Sequence, residues 1–389
     1  MLHRSRPHAA FFVFPEFADT IPTLSIVTTL IRRGWRVSYV TTDRFSAELT
    51  VLGAEFLQCP SYREFSANPT DGPSGPEKQL SALTARTLAE VSPFYERNRP
   101  TVVVHDTVSV AGRILAKQWD IPAIQVSCDF RMDKRYRSRQ APEFFDAVFQ
   151  TAASFRNVLA TYGITGDGFC FSRSEMNIYF YPKLFQLDSD AVDENSFYAG
   201  RCAPERPYTD KWQPRKDDRP TVLVSSSSLF LQGPGYFNMC IDALVSQQWH
   251  VILNIGDNNV PDAFRDLPPQ FELIRGRPLI AIMPYVDLLV CAGGMMTTVE
   301  SIYCGVPMLT ITYGNVELEA YAENGVRLGV GRHLMKEDAN ARTITNSLLE
   351  MFSDDELFST VRQMRRLVRA DPGAEEVANR IDDYVCAII

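Results

Sequence analysis

Two stretches far apart in the chain follow one grammar. His8 to Phe14 is an unbroken apolar run of strand length, and a loop follows it. Leu24, Val27, Leu30 and Ile31 then recur at helical spacing from about Pro22 to Arg33, and Arg36 to Thr41 is a second strand. Thr221 to Ser225, a helix from about Tyr236 to Gln247, and His250 to Ile255 repeat the pattern. Apolar runs without polar alternation are strands buried on both faces, and strand–helix–strand units cross over with a right hand into parallel sheets. The chain is therefore predicted to be α/β, with two successive open sheets. Such sheets take ligands beyond the carboxyl ends of their strands. The expected site is a cleft between two facing Rossmann-like domains.

Further elements fit the same scheme. Strands are predicted at Thr101 to His105, Pro122 to Ser127, Leu288 to Cys291 and Pro307 to Ile311, with helices at Ala111 to Gln118 and Thr297 to Tyr303. A helical region runs from about Asp355 to the end, broken at Asp371-Pro372-Gly373. At 389 residues the chain suits two domains better than one core. The predicted division is 1–202, a proline-rich, charged linker at 203–220, a second domain at 221–370, and a last helix at 371–389 that packs back on the first domain. Ser61 to Lys78, with Asn68-Pro69, Gly72-Pro73 and Gly75-Pro76, reads as a long loop. The aromatics between Phe130 and Phe171 read as core or as the wall of an apolar pocket; Phe17, Phe130, Phe144 and Phe145 are the candidates for the latter.

Composition narrows the partners. Hydrophobic residues make up 45% and charged residues 22%, with a formal net charge of −8, which disfavours nucleic acid. The eight cysteines show no CxxC spacing and read as reduced thiols. No apolar run approaches the roughly 18 residues of a membrane span, so a cytoplasmic location is expected. The basic run Arg131, Lys134, Arg135, Arg137 and Arg139 is a solvated loop or a contact for an anionic acceptor. Nothing suggests a metal-binding cluster.

The segment richest in chemistry is Arg277 to Leu334. A strand ending at Cys291 runs into Gly293-Gly294 and then into a helix that opens with Thr297-Thr298. Glycines admit a close ligand, and a helix start offers N–H groups to a phosphate. Taken alone, Gly-Gly-x-x-Thr-Thr reads equally as a glycine turn with threonine caps. The whole segment, however, resembles the donor-binding signature of nucleotide-sugar-dependent glycosyltransferases, the family that glycosylates antibiotics, macrolides and other small lipophilic molecules. Pro278, Val286-Asp287, Gly293-Gly294, Thr297-Thr298, Glu300, Gly305-Val306-Pro307 and Gly329-Val330-Gly331-Arg332 carry the match, and the opening strand, loop and helix from His8 to Asp43 carry it into the first half.

The resemblance implies a GT-B fold and an inverting transfer from a nucleotide sugar, the co-substrate, with no other cofactor. The acceptor implied is a small, aromatic or polyketide-like molecule. Asp19 stands where most relatives have a catalytic histidine, and Asp106 where an aspartate orients that histidine. Asp19 also reads as a helix N-cap before Pro22. Two such carboxylates brought together would share a proton. His105 should point away from Asp106 along its strand. Gly293, Gly294, Thr297, Thr298, Glu300 and Glu317 are implied to hold the donor. Four positions depart from the pattern: Leu279 and Leu318 replace glutamines, Ala292 replaces a phosphate-contacting histidine, and Met296 replaces a small residue. These losses keep an alternative open. The scaffold would then no longer use a nucleotide sugar, and would be a non-glycosylating tailoring enzyme using Asp19 and Asp106 or an inactive auxiliary partner. A homodimer is equally compatible with the sequence.

Overall fold

The computed structural model describes residues 6–60, 76–131, 156–164, 174, 176–187, 195–202, 218–225, 233–256, 264, 267–275 and 277–388. The chain divides into two compact units, Met1–Pro204 with Pro372–Ile389, and Glu205–Asp371. Phe144, Phe145, Lys134, Arg135, Arg137, Arg139 and most of the expected linker lie outside the described residues.

In the first unit, β1 (His8–Phe12), β2 (Arg36–Thr41), β3 (Glu55–Gln58), β4 (Val102–His105), β5 (Ala123–Ser127), β6 (Met176–Tyr179) and β7 (Ser196–Tyr198) form one parallel sheet in the order 3-2-1-4-5-6-7. Every residue of β1 is buried, as its unalternating sequence requires. Helices α1 (Phe17–Arg32), α2 (Ser46–Leu52), α3 (Pro76–Arg97) and α4 (Val110–Trp119) connect the strands. Helix α3 occupies ground predicted to be loop at its start. In the second unit, β8 (Thr221–Ser225), β9 (His250–Asn254), β10 (Phe271–Ile274), β11 (Leu288–Cys291), β12 (Met308–Thr312) and β13 (Gly331–Met335) are parallel in the order 10-9-8-11-12-13. Its helices are α5 (Pro234–Leu244), the short α6 (Leu279–Ile282), α7 (Met295–Cys304), α8 (Val316–Arg327), α9 (Ala341–Phe352) and α10 (Asp355–Arg369). Among the described residues no helix is long and apolar enough to cross a membrane.

After Pro372 the chain rejoins the first unit as α11 (Gly373–Ile388). Its carboxylates hold the end of α1 and the residues after it. Glu375 pairs with Arg32 at 2.7 Å and Arg33 at 2.9 Å, and Asp382 accepts from Arg33 and from the Trp35 indole at 2.7 Å each. These are exposed or half-exposed pairs, worth about 0–1 kcal/mol each. The buried apolar side of α11 (Val377, Ala378, Ile381, Val385) contributes the larger share of its attachment.

Each sheet has one topological switch point, between β1 and β4 in the first unit and between β8 and β11 in the second. Strand order reverses there, and the connections on either side diverge and leave a crevice. Asp106 lies at the first of these places and the Gly293–Gly294 turn at the second.

Candidate active site

At the first switch point the carboxyl ends of β1 and β4 are tied together by Asp106. Its own N–H donates to the Phe12 carbonyl at 3.1 Å. Its Oδ2 accepts from the Phe14 N–H, and its Oδ1 from the N–H groups of Val108 at 2.8 Å and Ser109 at 2.5 Å. Asp106 is 3% exposed, and burial pushes its carboxyl up to about 6 against the pull of these amides. Its oxygens therefore organise two loops instead of facing a ligand. His105 is buried beside it, its Nδ1 bonded to the Asp106 carbonyl at 2.8 Å, and burial lowers it to about 4, so it stays neutral.

The amides held by Asp106 belong to the rim of a small open pocket. Phe12, Phe14, Val40, Leu83 and Val110 line it, together with the hydroxyl-bearing Thr84, Thr87 and Ser109, and no charged residue is among the described residues around it. Of the four aromatics expected to form an apolar wall, the two described residues do not line it. Phe130 is a core residue, 2% exposed and edge-on to Tyr181. Phe17 is half-buried between the Arg44 guanidinium, 3.9 Å from its ring centre, and Phe45. Phe12 and Phe14 were read as strand core; their place at a strand end beside the switch point is the signal that marks them as pocket residues.

With Asp106 at about 6, the rim is held by a carboxylate above that pH and by a neutral acid below it. A neutral acid accepts more weakly from these N–H donors. Activity is expected to fall on the acid side of about pH 6, and Asp106→Asn should move or remove that limb of the kcat/KM profile. An unchanged apparent pKa in the variant would contradict this.

Asp19 lies in the first turn of α1, half-buried. The helix begins at Phe17 rather than near Pro22, with Glu16 as the N-cap residue, so the capping role considered for Asp19 is excluded by position. A carboxylate in the first turn is favoured by the helix dipole. Burial raises the Tyr39 hydroxyl and the Cys128 thiol, and Asp19 and Asp106 both add to it. The structure thus brings the two carboxylates into one neighbourhood.

At the second switch point β11 ends at Cys291 and the chain turns through Gly293 into α7. Gly293 has φ of +80°, and a Cβ there would lie 2.8 Å from Thr310 Cγ2 on β12, so no other residue fits. Gly294 is the N-cap of α7 and provides no side-chain oxygen to the helix's first N–H groups. Helical periodicity then sorts the residues behind it. Met295, Thr298, Val299 and Ile302 are buried, whereas Met296, Thr297 and Glu300 form a half-exposed stripe. Thr298, 3% exposed, donates back to the Gly294 carbonyl at 3.1 Å and belongs to the core face. The fold brings Thr297 and Glu300 together and leaves Thr298 out.

Around this turn Ala292 is 2% exposed, and Leu318 on α8, 3% exposed, comes within 3.9 Å of where a Gly294 Cβ would be. Glu317 starts α8 under the cap of Asn315 and accepts from the Tyr321 hydroxyl at 3.0 Å. Leu279 is half-buried at the start of α6. Asn254, at the carboxyl end of β9, fixes the preceding Arg277 carbonyl at 2.8 Å, a contact that local sequence does not announce. Several motif residues turn out to serve the fold. The Asp287 carboxylate accepts from the Thr221 N–H at 2.8 Å, pinning β11 to β8. A Cβ on Gly331 would meet the Met308 carbonyl at 2.2 Å.

The Erythromycin biosynthesis protein CIII-like C-terminal domain family matches residues 238–384. The chain is 27% identical to the NDP-glycosyltransferase YjiC of Bacillus licheniformis over 97% of this chain and 98% of that one. It is 26% identical to the demethyllactenocin mycarosyltransferase of Streptomyces fradiae, over 96% of this chain and 86% of the relative. The solved glycosyltransferase of kitacinnamycin superimposes with a TM-score of 0.83 at 27% identity, covering 98% of this chain and 99% of that one. The chain is similar to GT-B glycosyltransferases of the antibiotic type in both sequence and fold. In this glycosyltransferase-like enzyme the first unit carries Asp19 and the apolar pocket, and the second carries the glycine turn.

Proposed function

We propose that the enzyme transfers a sugar from a nucleotide-activated donor to a hydroxyl of a small, uncharged, mostly apolar natural product, with inversion at the anomeric carbon. The observation that carries this reading is the start of α7. Its first N–H groups have no side-chain cap, and they follow a glycine turn at the switch point of the second sheet. A helix N-terminus of this kind favours a phosphate by dipole and by hydrogen bond. Thr297 would contact the diphosphate and Glu300 the ribose, with Glu317 on the sugar. As the acceptor oxygen bonds to the anomeric carbon, its proton passes to Asp19. The bond from that carbon to the phosphate oxygen breaks, and the nucleoside diphosphate leaves with the electron pair.

The residues at Cys291 to Glu300 include no cation or imidazole. Within that stretch, charge developing on the leaving phosphate would be met by backbone N–H groups and the Thr297 hydroxyl. Loss of one such donor in other enzymes commonly costs about 10²–10³ in rate, so slow turnover is expected. The uncharged pocket of the first unit supports a neutral acceptor over an anionic one. The second reading, a scaffold without sugar transfer, draws support from the buried Leu318 against the glycine turn. Incubation with a set of nucleotide sugars and neutral polyketide or phenolic acceptors tests the proposal. A mass gain of one glycosyl residue on an acceptor is expected; nucleotide-independent modification of the acceptor would replace the proposal with the second reading.

A further inference from the structure

The first turn of α1 has a defect built into its sequence. In an α-helix the Ala18 carbonyl accepts from the N–H of the residue four positions on, which here is Pro22, inside α1 and without an N–H. That carbonyl is not left bare. The Cys128 thiol, arriving from the turn after β5, donates to it at 2.7 Å. Cys128 is 3% exposed, and burial with nearby carboxylates keeps it protonated, in the form that can donate. Its own position is set by the flanking residues, since the Asp129 N–H donates to Ser127 Oγ at 3.0 Å and closes the turn that carries it.

The Ala18 carbonyl belongs to the same planar peptide unit as the Asp19 nitrogen and Cα. We propose that Cys128 is a positioning residue for Asp19, its thiol supplying the hydrogen bond that Pro22 withholds and so fixing the peptide plane from which the Asp19 carboxylate projects. The inference rests on Asp19 being the base. A base must lie within hydrogen-bond reach of the acceptor hydroxyl, and a displacement of about 1 Å can cost about 10²-fold in rate. Other anchors act on the far side of the turn. The Thr20 hydroxyl donates to the Phe14 carbonyl at 3.2 Å, and Thr23 donates to the Thr20 carbonyl at 2.7 Å while accepting from Tyr39 at 2.6 Å. None of these reaches the Ala18–Asp19 peptide.

Kinetics and amide exchange on four proteins test this. Cys128→Ala is expected to lower kcat about 10- to 100-fold with the donor KM unchanged, and Cys128→Ser, which restores a donor, to recover most of it. Adding Pro22→Ala to Cys128→Ala returns an intrahelical N–H to the Ala18 carbonyl and should restore kcat to within a few-fold of wild type. Hydrogen exchange in the first turn of α1 should rise in Cys128→Ala and fall again in the double variant. Wild-type kcat in Cys128→Ala, or no recovery in the double variant, would overturn the proposal. If the wild type transfers no sugar, the functional reading fails while the exchange experiment still decides the thiol's role. Unaltered exchange in Cys128→Ala would end the proposal on its own.

Discussion

Asp19→Asn is expected to lower kcat by about 10²–10⁴-fold while leaving the donor KM and the melting temperature close to wild type. The magnitude is that of removing a general base from proton transfer. The small stability effect follows from position. Asp19 is half-buried in the first turn of α1, where loss of its charge forfeits a dipole interaction of about 0.3–1 kcal/mol. The two effects separate the possible roles of the residue. A first-turn aspartate that merely favours the helix would show the stability loss and nothing in kcat. Steady-state kinetics beside a thermal melt distinguishes them, and wild-type kcat in Asp19→Asn would remove the residue from the chemistry.

The second large effect is expected from Gly293→Ala. A Cβ at φ of +80° costs about 1–3 kcal/mol through backbone strain alone. The same atom would lie 2.8 Å from Thr310 Cγ2, so β12 or the turn must also shift. A loss of about 2–4 kcal/mol in the second unit is expected, read as a fall in its melting temperature. Adding Thr310→Ser removes the colliding methyl. It also keeps the hydroxyl that donates to the Arg332 carbonyl at 3.0 Å, so it should return most of the steric part and leave the strain. If Gly293→Ala melts with the wild type, the turn is not held as described.

How far these features were legible differs from residue to residue. The apolar runs of β1, β8 and β11 announced parallel strands because burial on both faces leaves no room for polar alternation. Short strands with mixed composition, such as β3 and β10, gave no such signal, because position in the sheet decides their burial and that information is long-range. The start of α1 was placed too late because Pro22 resembles a first-turn proline. The Ala18 carbonyl that it leaves without a helical partner is met by a thiol 110 positions away, which no local pattern encodes. Thr297 and Thr298 looked equivalent as a motif. The apolar spacing of Met295, Val299 and Ile302 already assigned Thr298 to the core side, and helical periodicity applied there would have separated them.

The role of Asp106 illustrates the same limit. The family resemblance gives it a place beside the base, whereas its three amide partners come from Phe14, Val108 and Ser109, one of them reached only through the sheet. A sequence shows which residues are able to do chemistry. Whether their lone pairs are already taken is settled by the fold.

The glycine turn and the start of α7 are proposed to hold a diphosphate without an imidazole. Calorimetric titration of the wild-type enzyme with nucleoside diphosphates puts this to the test. Saturable binding below millimolar concentration, accompanied by thermal stabilisation of about 2.7 kcal/mol at one hundred times the Kd, is the expected result. No heat and no stabilisation with any nucleoside diphosphate at millimolar concentration would contradict it.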